Sequence, residues 1–61
     1  MKNISTMHEM IETRINGNIS DFNVWARTLT VLDTADLIEC ACGYFGIEIN
    51  VIIRWIRAAH N

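Results

Sequence analysis

The 61-residue chain is 51% apolar and 20% charged, with five Lys or Arg against seven Asp or Glu for a formal charge of −2. A domain this short buries only about 60% of the surface its unfolded form exposes, which leaves no room for a substrate pocket and a catalytic set beside the core. The apolar content excludes an intrinsically disordered tail, and the acidic balance argues against a protein held on nucleic acid or anionic lipid by bulk charge. The expectation is one small, non-enzymatic helical domain spanning the chain, with no cofactor and no small-molecule substrate.

Isoleucine appears ten times against three leucines and three valines, and proline is absent. The amino end, Met1-Lys2-Asn3-Ile4-Ser5-Thr6, lacks the apolar stretch of a signal peptide. An uninterrupted apolar run such as Val51-Ile52-Ile53 falls far short of the roughly 20 residues of a spanning helix. A cytoplasmic location with no membrane partner follows as an expectation. Cys40 and Cys42 lie one residue apart, too close for an unstrained bridge, and a reducing compartment keeps them as thiols.

In chain order, Thr6-Met7-His8-Glu9 has the T-x-x-E form of a capping box. Met7, Met10, Ile11 and Ile15 follow at helical spacing, with Glu9, Glu12 and Arg14 on the wet side. Gly17 reads as the stop, so helix one is expected over 6–16. A second helix is expected to start near Ser20-Asp21, where Phe22, Trp25, Ala26, Leu29 and Leu32 share one face. Val24, Thr28 and Val31 form a weaker second stripe, a candidate dimer contact. Asp33 or Thr34 can cap a third helix over 34–43, burying Leu37, Ile38, Ala41, Cys42 and Phe45, with Gly43-Tyr44-Phe45-Gly46 breaking it.

Residues 47–60 admit two readings. At period two, Ile47, Ile49, Val51 and Ile53 alternate with Glu48, Asn50 and Arg54 like an edge strand. At period 3.6, Ile49, Ile52, Ile53, Ile56 and Ala59 share a broad face. No other segment offers a strand partner, so a helix is expected. The fold class is therefore all-α, with three to four short helices.

The spacing across the last two segments carries the most information. Ala41-Cys42, Phe45-Gly46-Ile47, Ile52 and Trp55 place small residues, an apolar–glycine–apolar turn and two apolar anchors at the gaps of a helix-turn-helix. A small residue at 42 lets two helices cross closely, Gly46 takes the positive φ of the turn, and Ile52 and Trp55 anchor the second helix. The stretch from Ala41 to Arg57, above all Phe-Gly-Ile and Arg-Trp-Ile-Arg, resembles the helix-turn-helix of small repressors and of transposase or resolvase DNA-binding ends. In that family the second helix enters the major groove. The resemblance implies an outward set of Glu48, Ile49, Asn50, Ile53, Arg54 and Arg57. Asn50, Arg54 and Arg57 become the candidate DNA contacts, Asn50 through its amide on adenine and the arginines on guanine or phosphate. Arg54 and Arg57 against Glu48 give residues 47–61 a charge of +1, whereas Arg27 against Asp21, Asp33, Asp36 and Glu39 leaves residues 18–46 at −3. Glu48, Ile49, Val51 and Ile53 depart from the family's polar surface.

Those departures support a second reading. A helix apolar nearly all round is usually buried all round, and Ile49, Val51, Ile53 and Trp55 suit a two-fold contact with a second copy, joined by Val24 and Val31. The same helix would also dock on a host protein without touching DNA. A zinc site from Cys40, Cys42 and His8 or His60 is disfavoured because a C-x-C pair on a helix points its sulfurs to different sides, so no metal is expected. His8 reads as solvated, Arg27 as a surface charge, and Trp25 and Trp55 as core or interface anchors.

A tiny, isoleucine-rich, all-helical, slightly acidic chain without a catalytic set also resembles the small early-region proteins of lambdoid temperate phages, which lie between the exonuclease and excisionase genes. That resemblance implies a bacterial-host cytoplasm and a regulatory role in the choice between lysis and lysogeny. It assigns no residue. The candidate partners are therefore a second copy of the chain, DNA, and a host or phage regulatory protein.

Overall fold

The computed structural model describes residues 4–61, and among these the chain is all-helical, with no strand. Its four helices are α1 (Ile4–Ile15), α2 (Ile19–Ala26), α3 (Val31–Tyr44) and α4 (Ile49–Ala59). The principal contacts pair α1 with α2 and α3, and α4 with the same two helices. Every helix sends at least one side chain to the shared centre. Met7 and Ile11 come from α1, Phe22 from α2, Leu37 from α3 and Ile52 from α4, all fully buried.

Helix α1 starts earlier than its sequence suggests. Thr6 lies inside it, so the expected box of Thr6 and Glu9 does not form its start. Its end follows the glycine rule. Gly17 takes φ +92°, the Gly17 N–H donates to the Arg14 carbonyl at 3.1 Å, and the Asn18 N–H donates to the Thr13 carbonyl at 3.0 Å. Those two bonds satisfy carbonyls that the last turn would otherwise leave open. Asn18 then caps α2: its amide oxygen accepts from the Asp21 N–H at 3.5 Å, and its Nδ2 donates to the Asp21 carboxylate at 2.7 Å.

The expected long second helix is two helices. Helix α2 stops at Ala26 after eight residues, and α3 begins at Val31. The Thr28 hydroxyl donates to the Trp25 carbonyl at 2.6 Å, and the Arg27 guanidinium Nε reaches the Ala59 carbonyl at 2.7 Å, tying the junction to the end of α4. Thr30 is extended, and its hydroxyl accepts the Asp33 N–H at 3.1 Å. The cap of α3 is therefore Thr30, not Asp33 or Thr34. Leu29 still packs on the core, but Leu32 leaves the Phe22 face and is 78% exposed.

Helix α3 runs from 31 to 44, through Gly43 to Tyr44, and buries Asp33, Leu37, Cys40 and Ala41 along one face. The inward cysteine is Cys40; Cys42, which the sequence reading had buried, is only partly covered, as are Ile38 and Phe45. Asp33 sits in the first turn, where a carboxylate complements the helix dipole. Residues 49–59 form a helix, so the strand alternative for this segment does not hold. No helix is long and apolar enough to cross a membrane among the described residues.

Candidate nucleic-acid interface

The turn between α3 and α4 is built around Gly46. Its φ is +65°, and a Cβ there would meet nothing within 4 Å, so the glycine serves the backbone conformation and not a close approach. Across it the Ile47 N–H donates to the Ala41 carbonyl at 3.0 Å. Phe45 and Ile47, on either side, pack against the core. At the start of α4 the Glu48 backbone carbonyl accepts from the Val51 N–H at 2.9 Å and the Ile52 N–H at 3.3 Å; the Glu48 side chain takes no part in the cap.

The inner face of α4 is firmly held. Ile52 and Ala59 are buried, and Trp55 and Ile56 lean on the core. The Trp55 ring meets Phe22 edge-on at 5.9 Å, and the Arg14 guanidinium lies 4.9 Å from a Trp55 ring centroid. Such aromatic and cation–π contacts fix the roll of a helix as well as its position. The opposite face carries Asn50, Arg54 and Arg57, all exposed. Their spacing of four and three residues puts them in one stripe about 10 Å long. Asn50 Nδ2 donates to the Glu48 carboxylate at 3.3 Å, so one polar group of the stripe already faces an anion. His60, the C-cap of α4, is exposed beyond the stripe and donates its backbone N–H to the Arg57 carbonyl at 3.1 Å.

The apolar candidates are dispersed. Val24 is 60% exposed on α2 and Val31 is 86% exposed on α3, so they do not form the single stripe that one long helix would have made. Ile49 is 51% exposed, and Val51 and Ile53 are partly covered on α4. Trp55 is engaged with the core.

Three residues have roles the sequence reading missed. His8, expected in solvent, lies against Tyr44 at 4.8 Å and Phe45 at 5.3 Å, bracing the turn from α1; its Nε2 is buried with no hydrogen-bond partner. Arg14, expected on the wet side, stacks on Trp55, and Arg27 bonds α4. His8 follows the core residue Met7, and Arg14 lies three residues after Ile11 and seven after Met7, at the helical spacing of the core face, a weak signal; Arg27 has none, because its partner is 32 residues away. Cys40 and Cys42 are free thiols. Burial, with Asp36 and Glu39 adding to it, pushes the Cys40 thiol above its ordinary range, which disfavours the reactive thiolate. Among the described residues, no group of three or more His, Cys, Asp or Glu is placed to hold a metal ion. No family model, curated protein or solved structure matches this chain.

Proposed function

We propose that this chain is a small non-enzymatic regulator that acts through the outward face of α4 on duplex DNA, alone or within a transcription complex, with the α3–α4 unit serving as a helix-turn-helix. The observation that carries the reading is the exposed stripe of Asn50, Arg54 and Arg57 on a helix whose other face is anchored by Ile52 and Trp55. The turn supports it, because Gly46 adopts the positive φ that a tight helix-to-helix turn requires. The proposal includes self-association and, following the phage resemblance, a role in temperate-phage development in the host cytoplasm.

An amide-resolved NMR titration with mixed-sequence duplex DNA at low salt tests it. Salt-reversible shifts centred on Asn50, Arg54 and Arg57 are the expected result, since phosphate contacts release counterions. Replacing both arginines with alanine should reduce the salt slope by about two contacts while leaving the fold intact. A spectrum that does not move overturns the reading.

A second reading rests on Ile49, which is 51% exposed, with the partly covered Ile53 one turn further on the same flank of α4. In it, this apolar flank of α4 docks on a protein partner and DNA plays no part. Ile49→Asp should then remove binding, because a charge would be buried without a counterion, while the arginine substitutions change little.

A further inference from the structure

We infer that the acidic outer face of α3 receives α4 of a second copy, so that self-association masks the surface proposed for DNA. The outer face of α3 begins with two large aliphatic side chains in its first turn, Val31 at 86% and Leu32 at 78% exposure. One and two turns beyond Leu32, on its side of the helix, come the partly covered Asp36 and the exposed Glu39. Thr30, Leu32, Asp33 and Asp36 line a groove of about 380 Å³ at the head of the helix. Such a groove fits a side chain with an apolar stem and a cationic head, which is the chemistry of arginine.

Helix α4 carries the complement. Ile49 and Ile53 lie one turn apart beside Arg54 and Arg57. The two arginines are three residues apart, as Asp36 and Glu39 are, so two helices laid side by side match both charges at once. In the same register Leu32 meets the isoleucines. Two copies of the α3 face repel each other through their carboxylates, and two copies of the α4 face repel through their arginines, so the favoured pairing is α3 with α4. A stable pair needs about 800 Å² from each partner, about a fifth of the 3993 Å² that the chain exposes. The self-contact stands on this complementarity; only its masking of DNA rests on the proposed function.

Sedimentation velocity on the full chain, from micromolar to millimolar concentration at low and high salt, tests the contact. Self-association that weakens with salt is expected. Arg54→Glu with Arg57→Glu should weaken it about tenfold or more, and so should Asp36→Lys with Glu39→Lys. Mixing the two double variants should restore association, because each supplies the face the other now matches. A control carrying Glu9→Lys, Asp36→Ala and Glu39→Ala has the same net charge as the lysine variant but lacks its cationic α3 face, and should rescue less. A chain that stays monomeric throughout, or equal rescue by the control, overturns the contact. Where self-association is seen, adding duplex DNA should dissociate it; a duplex that binds the pair intact overturns the masking alone, and a duplex that does not bind at all refutes the DNA reading while leaving the contact standing.

Discussion

The two junctions on either side of α3 are made in different ways. The one before α4 is a backbone device, with Gly46 at φ +65° and a single hydrogen bond from Ile47 to Ala41 spanning it. The one after α2 contains no glycine, and to its backbone turn bonds from Thr28 to Trp25 and from Leu29 to Ala26 it adds side chains: the Thr28 and Thr30 hydroxyls and the Arg27 bond to Ala59. A backbone device is written into one residue type. A side-chain device depends on partners brought from elsewhere in the fold, and the same threonines are compatible with an unbroken helix.

Substitutions sharpen that contrast, the largest effect coming from the core that both junctions serve. Phe22 is fully buried between Trp25 and Trp55 and holds the short α2 in place. Phe22→Ala should remove about 3–5 kcal/mol, most of the stability of a domain this size, and urea denaturation followed by far-ultraviolet circular dichroism should show the chain largely unfolded. Gly46→Ala should destabilise by about 1–2 kcal/mol, through left-handed strain alone because the added methyl has space; an unchanged urea midpoint would show that the turn tolerates another backbone. Thr30→Ala should remove about 1 kcal/mol by taking away the α3 cap. Amide exchange should then rise first at Asp33, leaving the α3–α4 turn protected. Gly43→Ala, at an exposed helical position with open space for a Cβ, should stabilise the chain by about 0.5–1 kcal/mol. Loss of stability there would mean that α3 depends on flexibility near its end.

Residues with strong local preferences made much of the fold legible. Gly17 ends α1 and Gly46 turns the chain into α4, both with positive φ, because no other residue type accepts that conformation at so little strain. The helical reading of 47–60 followed from the length of the segment and the lack of a strand partner. The candidate DNA stripe was equally legible, since Ile52 and Ala59 are inside and Asn50, Arg54 and Arg57 outside, as helical periodicity requires.

The break at residues 27–30 was hidden because Phe22, Trp25, Ala26, Leu29 and Leu32 continue a helical period that tertiary contacts interrupt. Cys40, not Cys42, faces inward because the earlier start of α3 and its packing on α1 and α4 set its roll. His8 and Arg14 have the polar character of surface residues, but neighbouring helices place Tyr44, Phe45 and Trp55 against them. Sequence by itself determined the helical class, the glycine stops and the two faces of α4, because those depend on preferences within a few residues. Only the tertiary structure decided where α2 ends, which cysteine is buried and what the long polar side chains touch, because each of those depends on a partner from another helix.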